Sequence, residues 1–141
     1  MTVTDNTGRA LTEVDLNLWE TILWATTDLG DEPQPLDRNY SISDVDRQSI
    51  AKINDQWWHF RDEADHVFTR HGLGDACLDD LWPTRAEHCY ALVRDGHGVA
   101  FTDDYLSGSR CYAIAEDLNR IARRHGPIDA YPGDDGRIYC S

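Results

Sequence analysis

Apolar positions recur at helical spacing through the first half of the chain and change period in its last third. Thr12 opens the first regular stretch, with Asp15 three residues on as its capping-box partner. Leu11 and Leu16 flank that cap at the spacing of a hydrophobic staple. Val14, Leu18, Ile22 and Ala25 then follow one face, widened by Trp19 and Leu23, which predicts a helix over 13–27. Residues 28–40, DLGDEPQPLDRNY, are rich in Pro, Gly and acids and read as a linker or ordered loop. A second helix is expected from a Ser43–Asp46 capping box to Gly72. Its apolar seam of Ile50, Ile53, Trp57, Phe60, Ala64 and Val67 suits an antiparallel partner, and the first helix is the obvious one.

Beyond a short helical turn stopped by Pro83, the period shortens. HCYALVR (88–94) reads as a strand with both faces apolar, Asp95-Gly96-His97-Gly98 as a turn, and 99–102 as the return strand. A third helix over 109–125 points Ile114, Leu118, Ile121 and Ala122 inward and stops at Gly126-Pro127. The segments 128–131 and 137–140, around PGDDG, form another hairpin. The expected fold class is therefore α+β: an N-terminal antiparallel helix pair, then a small ββαββ antiparallel sheet with one packed helix. It would be one domain over 1–141, with 1–10 loose, 11–85 helical and 86–141 carrying the sheet.

The chain has 141 residues, enough for one hydrophobic core, and 40% hydrophobic content supports folding. Charge changes the picture more. Asp and Glu number 26 against 13 Lys and Arg, a net of −13, with acids spread along the whole length. Such a surface repels nucleic-acid phosphates and anionic lipid, so direct nucleic-acid and membrane partners are not expected. It suits mimicry of DNA by carboxylates spaced for a basic partner, or else simply solubility or a salt-loving host. A mean hydropathy of −0.59 and an N-terminus without a signal-like pattern lead to an expected cytoplasmic location. Cys77, Cys89, Cys111 and Cys140 lack close spacing and read as four buried thiols rather than a metal or redox motif.

Two C-terminal segments carry a resemblance. LVRDGHGVAFTDD (92–104) and DAYPGDDGRIY (129–139) resemble a motif pair, L-T-R-N-G-H-G-A-G-F-W-D and D-L-Y-V-G-D-D-G-x-I-Y, of a family of small tailed-phage and prophage proteins. Leu92, Arg94, Gly96, His97, Gly98, Phe101 and Asp103 match the first motif. Asp129, Tyr131, Gly133, Asp134, Asp135, Gly136, Ile138 and Tyr139 match the second. Val93, Asp95, Ala100 and Thr102 depart from it. The resemblance implies a phage accessory protein acting in the cytoplasm of a bacterial host, and implies no particular reaction.

Candidate chemistry concentrates in those motifs. His97 between two glycines, with Asp103 to orient it, is the candidate general base, and Arg94 is a candidate binding residue beside it. Asp103, Asp134 and Asp135 are candidate ligands for a divalent cation, against a simpler role as turn residues. Tyr131 joins them as a binding candidate. His59, Asp62, Glu63 and His66 have metal-like helical spacing, but His59, Asp62 and His66 fall on the outward side of the helix and read as solvated. Trp58 lies off the seam beside acids, where it either anchors a protein partner or is covered by the 28–40 loop. No phosphate-binding glycine loop, nucleophile elbow or H-E-x-x-H motif is present. These features favour a non-enzymatic factor that binds a host protein with a basic nucleic-acid-binding surface, counter-defence being one such role. The alternative is a small metal-assisted hydrolase built on His97 and the C-terminal aspartates.

Overall fold

The computed structural model describes residues 3–5, 7–28, 33–74, 78, 82, 86–96, 101 and 109–140. It is an α+β protein whose described elements are four α-helices, two short 3-10 turns and two two-stranded antiparallel ladders. The chain divides into two compact units, one of residues 1–55 and 128–141, the other of 56–127.

In the first unit, α1 (Glu13–Ala25) begins as its sequence requires. Thr12 Oγ1 accepts from the Asp15 N–H at 3.2 Å, and the Asp15 carboxylate accepts from the Thr12 N–H at 3.3 Å, so two otherwise orphaned donors are satisfied. Asp15 also accepts from the Asn54 amide at 2.8 Å. Leu18, Trp19, Ile22 and Leu23 form the buried face, joined in this unit's core by Leu36, Val45, Ile50, Ile53, Ile128 and Ile138. The segment read as a linker or ordered loop takes part in a ladder, β1 (Thr27–Asp28) on β2 (Gln34–Pro35), and holds a 3-10 turn over Leu36–Arg38. The N-terminal segment, expected to be loose, closes a turn. The Asp5 carboxylate accepts from Thr7 N, Thr7 Oγ1 and Arg9 N, and Thr4 bridges Ala10.

The second helix, α2 (Arg47–Arg70), starts later than its sequence suggests. The capping box belongs to Ser41 and Asp44, which close a separate 3-10 turn over Ile42–Asp44. Asp46, expected at the third position of the helix, instead caps it from outside, its carboxylate accepting from the Gln48 N–H at 3.1 Å. The seam is correct in all six positions, since Ile50, Ile53, Trp57, Phe60, Ala64 and Val67 are buried. In the second unit its ring partners are Tyr90 and Phe101, with Phe60 centred 4.7 and 5.6 Å from them.

The main correction concerns 86–94. The expected strand is the helix α3 (Ala86–Arg94). An apolar run this short satisfies both periods: Tyr90 and Leu92 alternate as in a strand, while Ala86, Cys89, Tyr90 and Val93 also make a helical stripe, and all four are buried. Gly96, expected in a hairpin tip, sits at φ 77° just past the end of α3, where its N–H bonds Val93 O at 3.2 Å. It is a helix-terminating glycine. The first ββ of the expected ββαββ sheet is therefore absent from 86–94, and its return strand, apart from Phe101, lies outside the described residues. The third predicted helix is α4 (Ser109–Arg124), with Ile114, Leu118, Ile121 and Ala122 buried as expected. The last hairpin is also as expected, β3 (Ala130–Pro132) on β4 (Ile138–Cys140), with Tyr131 opposite Tyr139.

Candidate functional site

Three places hold the candidate residues, and each is built differently. The first is the buried polar chain around Arg94 in the second unit. Arg94 is 6% exposed. Its Nε donates to Gly126 O at 2.7 Å, one Nη donates to Gln56 Oε1 at 2.7 Å, and the other reaches His125 O at 3.3 Å. The two carbonyls follow directly after α4, and arginine satisfies them better than lysine because its fork has several fixed donors. Arg94 also donates to the Tyr90 hydroxyl at 3.3 Å. That hydroxyl lies 2.8 Å from His125 Nδ1, and His125 Nε2 lies 2.7 Å from Glu63. One assignment satisfies every member: Arg94 donates to Tyr90, Tyr90 to His125, and the His125 Nε2–H to the Glu63 carboxylate. Burial pushes the Tyr90 phenol up to about 12, with the Arg94 charge opposing. Tyr90, Phe60, Trp57 and His125 pack ring on ring around this chain.

Arg94 is thus an architectural residue, with its donors committed to the protein itself. The same unit fixes Phe101 through Asn119, whose amide takes both the N–H and the C=O of that residue, at 3.0 and 2.8 Å. His97 and Asp103, the candidate catalytic residues, lie outside the described residues.

The second place is the tip of the β3–β4 hairpin in the first unit. Tyr131 is 49% exposed and stacks on Tyr139 with ring centroids 6.0 Å apart. Asp135 is occupied by the turn: its carboxylate accepts from the Tyr139 hydroxyl and, at 3.0 Å, from the Arg137 N–H. The Tyr139 hydroxyl chiefly holds Asp135 below the usual carboxylate range, and the same bond pushes the Tyr139 phenol up. Gly133 is required by closeness, because a Cβ there would stand 2.7 Å from the Tyr139 ring. Gly136 serves the turn at φ 79°. Asp134 is exposed. Among the described residues no group of three His, Cys, Asp or Glu is placed to hold a metal, and Asp103, the third cation ligand considered, is not described. The turn-residue role is the one Asp135 fills.

A cleft of about 720 Å³ beside this hairpin had no counterpart in the sequence reading. β4 meets the start of α2 through Asp46 N to Ile138 O at 2.8 Å and Cys140 N to Ser49 Oγ at 3.1 Å. The cleft lies there, lined among others by Arg47, Lys52, Arg137, Tyr131 and Tyr139. The one available signal was Arg47 in the first turn of a helix, where the macrodipole favours an acid.

The third place is the outward face of α2 in the second unit. Trp58 is 49% exposed, with the Arg61 guanidinium 5.4 Å above its ring. His59, Asp62, Asp65 and His66 are exposed with it, while Glu63 turns inward to His125. Of the four cysteines, Cys89 is buried and Cys140 is partly exposed, which departs from the expectation of four buried thiols. Cys77 and the Cys111 side chain lie outside the described residues. Among the described residues no helix is long and apolar enough to cross a membrane.

Comparison with known proteins returned no matching family model, no matching curated protein and no matching solved structure.

Proposed function

We propose that the chain is a non-enzymatic binding factor that docks on a basic protein surface through the outward face of α2. The observation that carries this reading is Trp58, half-exposed on a helix whose same face presents Asp62 and Asp65. A half-exposed aromatic anchor with two carboxylates on its helix face suits a partner surface of Arg and Lys, which supplies ion pairs to the carboxylates and packs on the part of the ring that Arg61 leaves open. The net charge of −13 steers such a partner from a distance. The commitment of Asp135 to hydrogen bonds within its turn weighs against the hydrolase alternative, which counts it among its residues. Following the phage-motif resemblance, the partner is a host protein with a nucleic-acid-binding surface, met in the bacterial cytoplasm.

The test is crosslinking in host lysate at low and moderate salt, comparing the native chain with Trp58→Ala and with Asp62→Asn/Asp65→Asn. One stoichiometric basic protein is expected, held less well as salt rises. Trp58→Ala should weaken it by about 2 kcal/mol, the scale of an interface hot spot. Recovery of no such protein, or of one that both variants keep at full yield, overturns the reading.

A further inference from the structure

The first unit carries a second site of opposite character. We infer that the cleft between the β3–β4 hairpin and the start of α2 binds a small phosphorylated ligand with a planar ring, such as a nucleoside monophosphate. Its volume, about 720 Å³, lies within the range of roughly 300–1,000 Å³ typical of small-molecule sites. Three of the chain's 13 basic residues, Arg47, Lys52 and Arg137, line this one cleft of a protein with net charge −13. All three are exposed. None of their side chains makes an ion pair among the described residues.

The carboxylates nearby are already engaged. Asp46, the one acid lining the cleft among the described residues, caps α2 through the Gln48 N–H. Asp135 is held by Tyr139 and the Arg137 N–H. Asp5, which feels the Arg47 charge, accepts from Thr7 and Arg9. The guanidinium groups of Arg47 and Arg137 are therefore available to an incoming anion, and guanidinium matches phosphate geometry.

The placement of Arg47 is itself informative. α1 carries Glu13 and Asp15 in its first turn, as the helix dipole favours, whereas α2 has no acid in its first turn and starts with Arg47. The Asp46 carboxylate already caps this helix end through the Gln48 N–H, so the Arg47 side chain lines the cleft without a part in starting α2. A bound phosphate gives that side chain a partner. Beside the cations, the Tyr131 ring is half-exposed and stacked on Tyr139, whose hydroxyl is anchored by Asp135. That gives a planar group a preorganised face to lie against.

The experiment is calorimetric titration of the full chain with the four ribonucleoside monophosphates, with inorganic phosphate and adenosine as half-ligand controls. At least one monophosphate is expected to bind at one site per chain, more tightly than either control. Arg47→Gln and Arg137→Gln should each weaken it by about tenfold, as loss of one charge-assisted hydrogen bond does. Tyr131→Ala should narrow the gap between the monophosphate and inorganic phosphate. Trp58→Ala, in the other unit, should leave the titration unchanged, which separates this site from the protein-docking face. Silence for all four monophosphates overturns the inference. So does affinity no better than that for inorganic phosphate, or binding indifferent to both arginine variants in chains whose circular dichroism matches the native protein.

Discussion

Arg94 and Arg137 both lie in the C-terminal half of the chain, and the two units put them to opposite uses. Arg94 is 6% exposed, with Gln56, Tyr90 and the His125 and Gly126 carbonyls just past α4 as its partners. Arg137 is exposed, and its backbone N–H rather than its side chain serves the turn. The second unit thus seals its polar groups among rings, where each hydrogen bond is strengthened by a low dielectric and each orphaned partner is costly. The first unit leaves its cations in water at the rim of a cleft, where they add little to stability and remain able to bind. Residue type alone therefore does not say which arginine is structural.

That contrast can be broken most strongly at Arg94. Arg94→Met keeps the apolar stem but orphans Gly126 O and the Gln56 amide and removes a donor to Tyr90. A loss of about 2–4 kcal/mol is expected from the desolvated groups left behind, read as a lower denaturant midpoint. Arg137→Met should move the same midpoint by no more than about 0.5 kcal/mol, as exposed substitutions usually do. Equal effects would erase the distinction between the two arginines.

A smaller effect sharpens the same comparison through pH. The Tyr90 phenol is pushed up to about 12 by burial, above the ordinary value near 10. The unfolded chain therefore loses this proton first as pH rises. The associated stability is fully present below about pH 10 and lost on the way to about 12. Tyr90→Phe should flatten that alkaline limb in a series of denaturation curves, and an unchanged slope would assign the limb to other groups.

The smallest effect lies at the hairpin. The Tyr139 hydroxyl holds Asp135 below the usual carboxylate range, so this contribution is present above the ordinary Asp value and fades as pH falls through the depressed one. In Tyr139→Phe the Asp135 carboxyl, followed by NMR, should titrate closer to its ordinary value while the fold persists. A carboxyl that titrates identically in both chains would show that the backbone N–H alone sets its acidity.

Much of this was legible in the chain because it rests on neighbours in sequence. The Thr12–Asp15 box, the six seam positions of α2, the inward face of α4 and the PGDDG hairpin all follow from local periodicity and turn chemistry. Trp58 lies one step off the buried seam, a position that left exposure and cover by the 28–40 loop equally open, and it is half-exposed. The failures have a common physical cause. HCYALVR satisfies two periods at once, and only the packing of Tyr90 and Phe60 against each other makes it a helix. Ser43 and Asp46 are both acceptable caps for α2, and with Ile42–Asp44 taken up in a 3-10 turn the cap is Asp46.

What tertiary structure alone decided is which polar side chains are spent and which are left. Arg94 meets Gly126 across 32 residues of sequence, His125 meets Glu63 across 62, and Cys140 meets Ser49 across 91. Periodicity carries no information at such separations, because it records which face a residue occupies and not what stands opposite. The sequence determined three of the four described helices, the last hairpin and the negative charge. The meeting of distant segments turned one arginine into a buried clamp and gathered three other cations along one cleft.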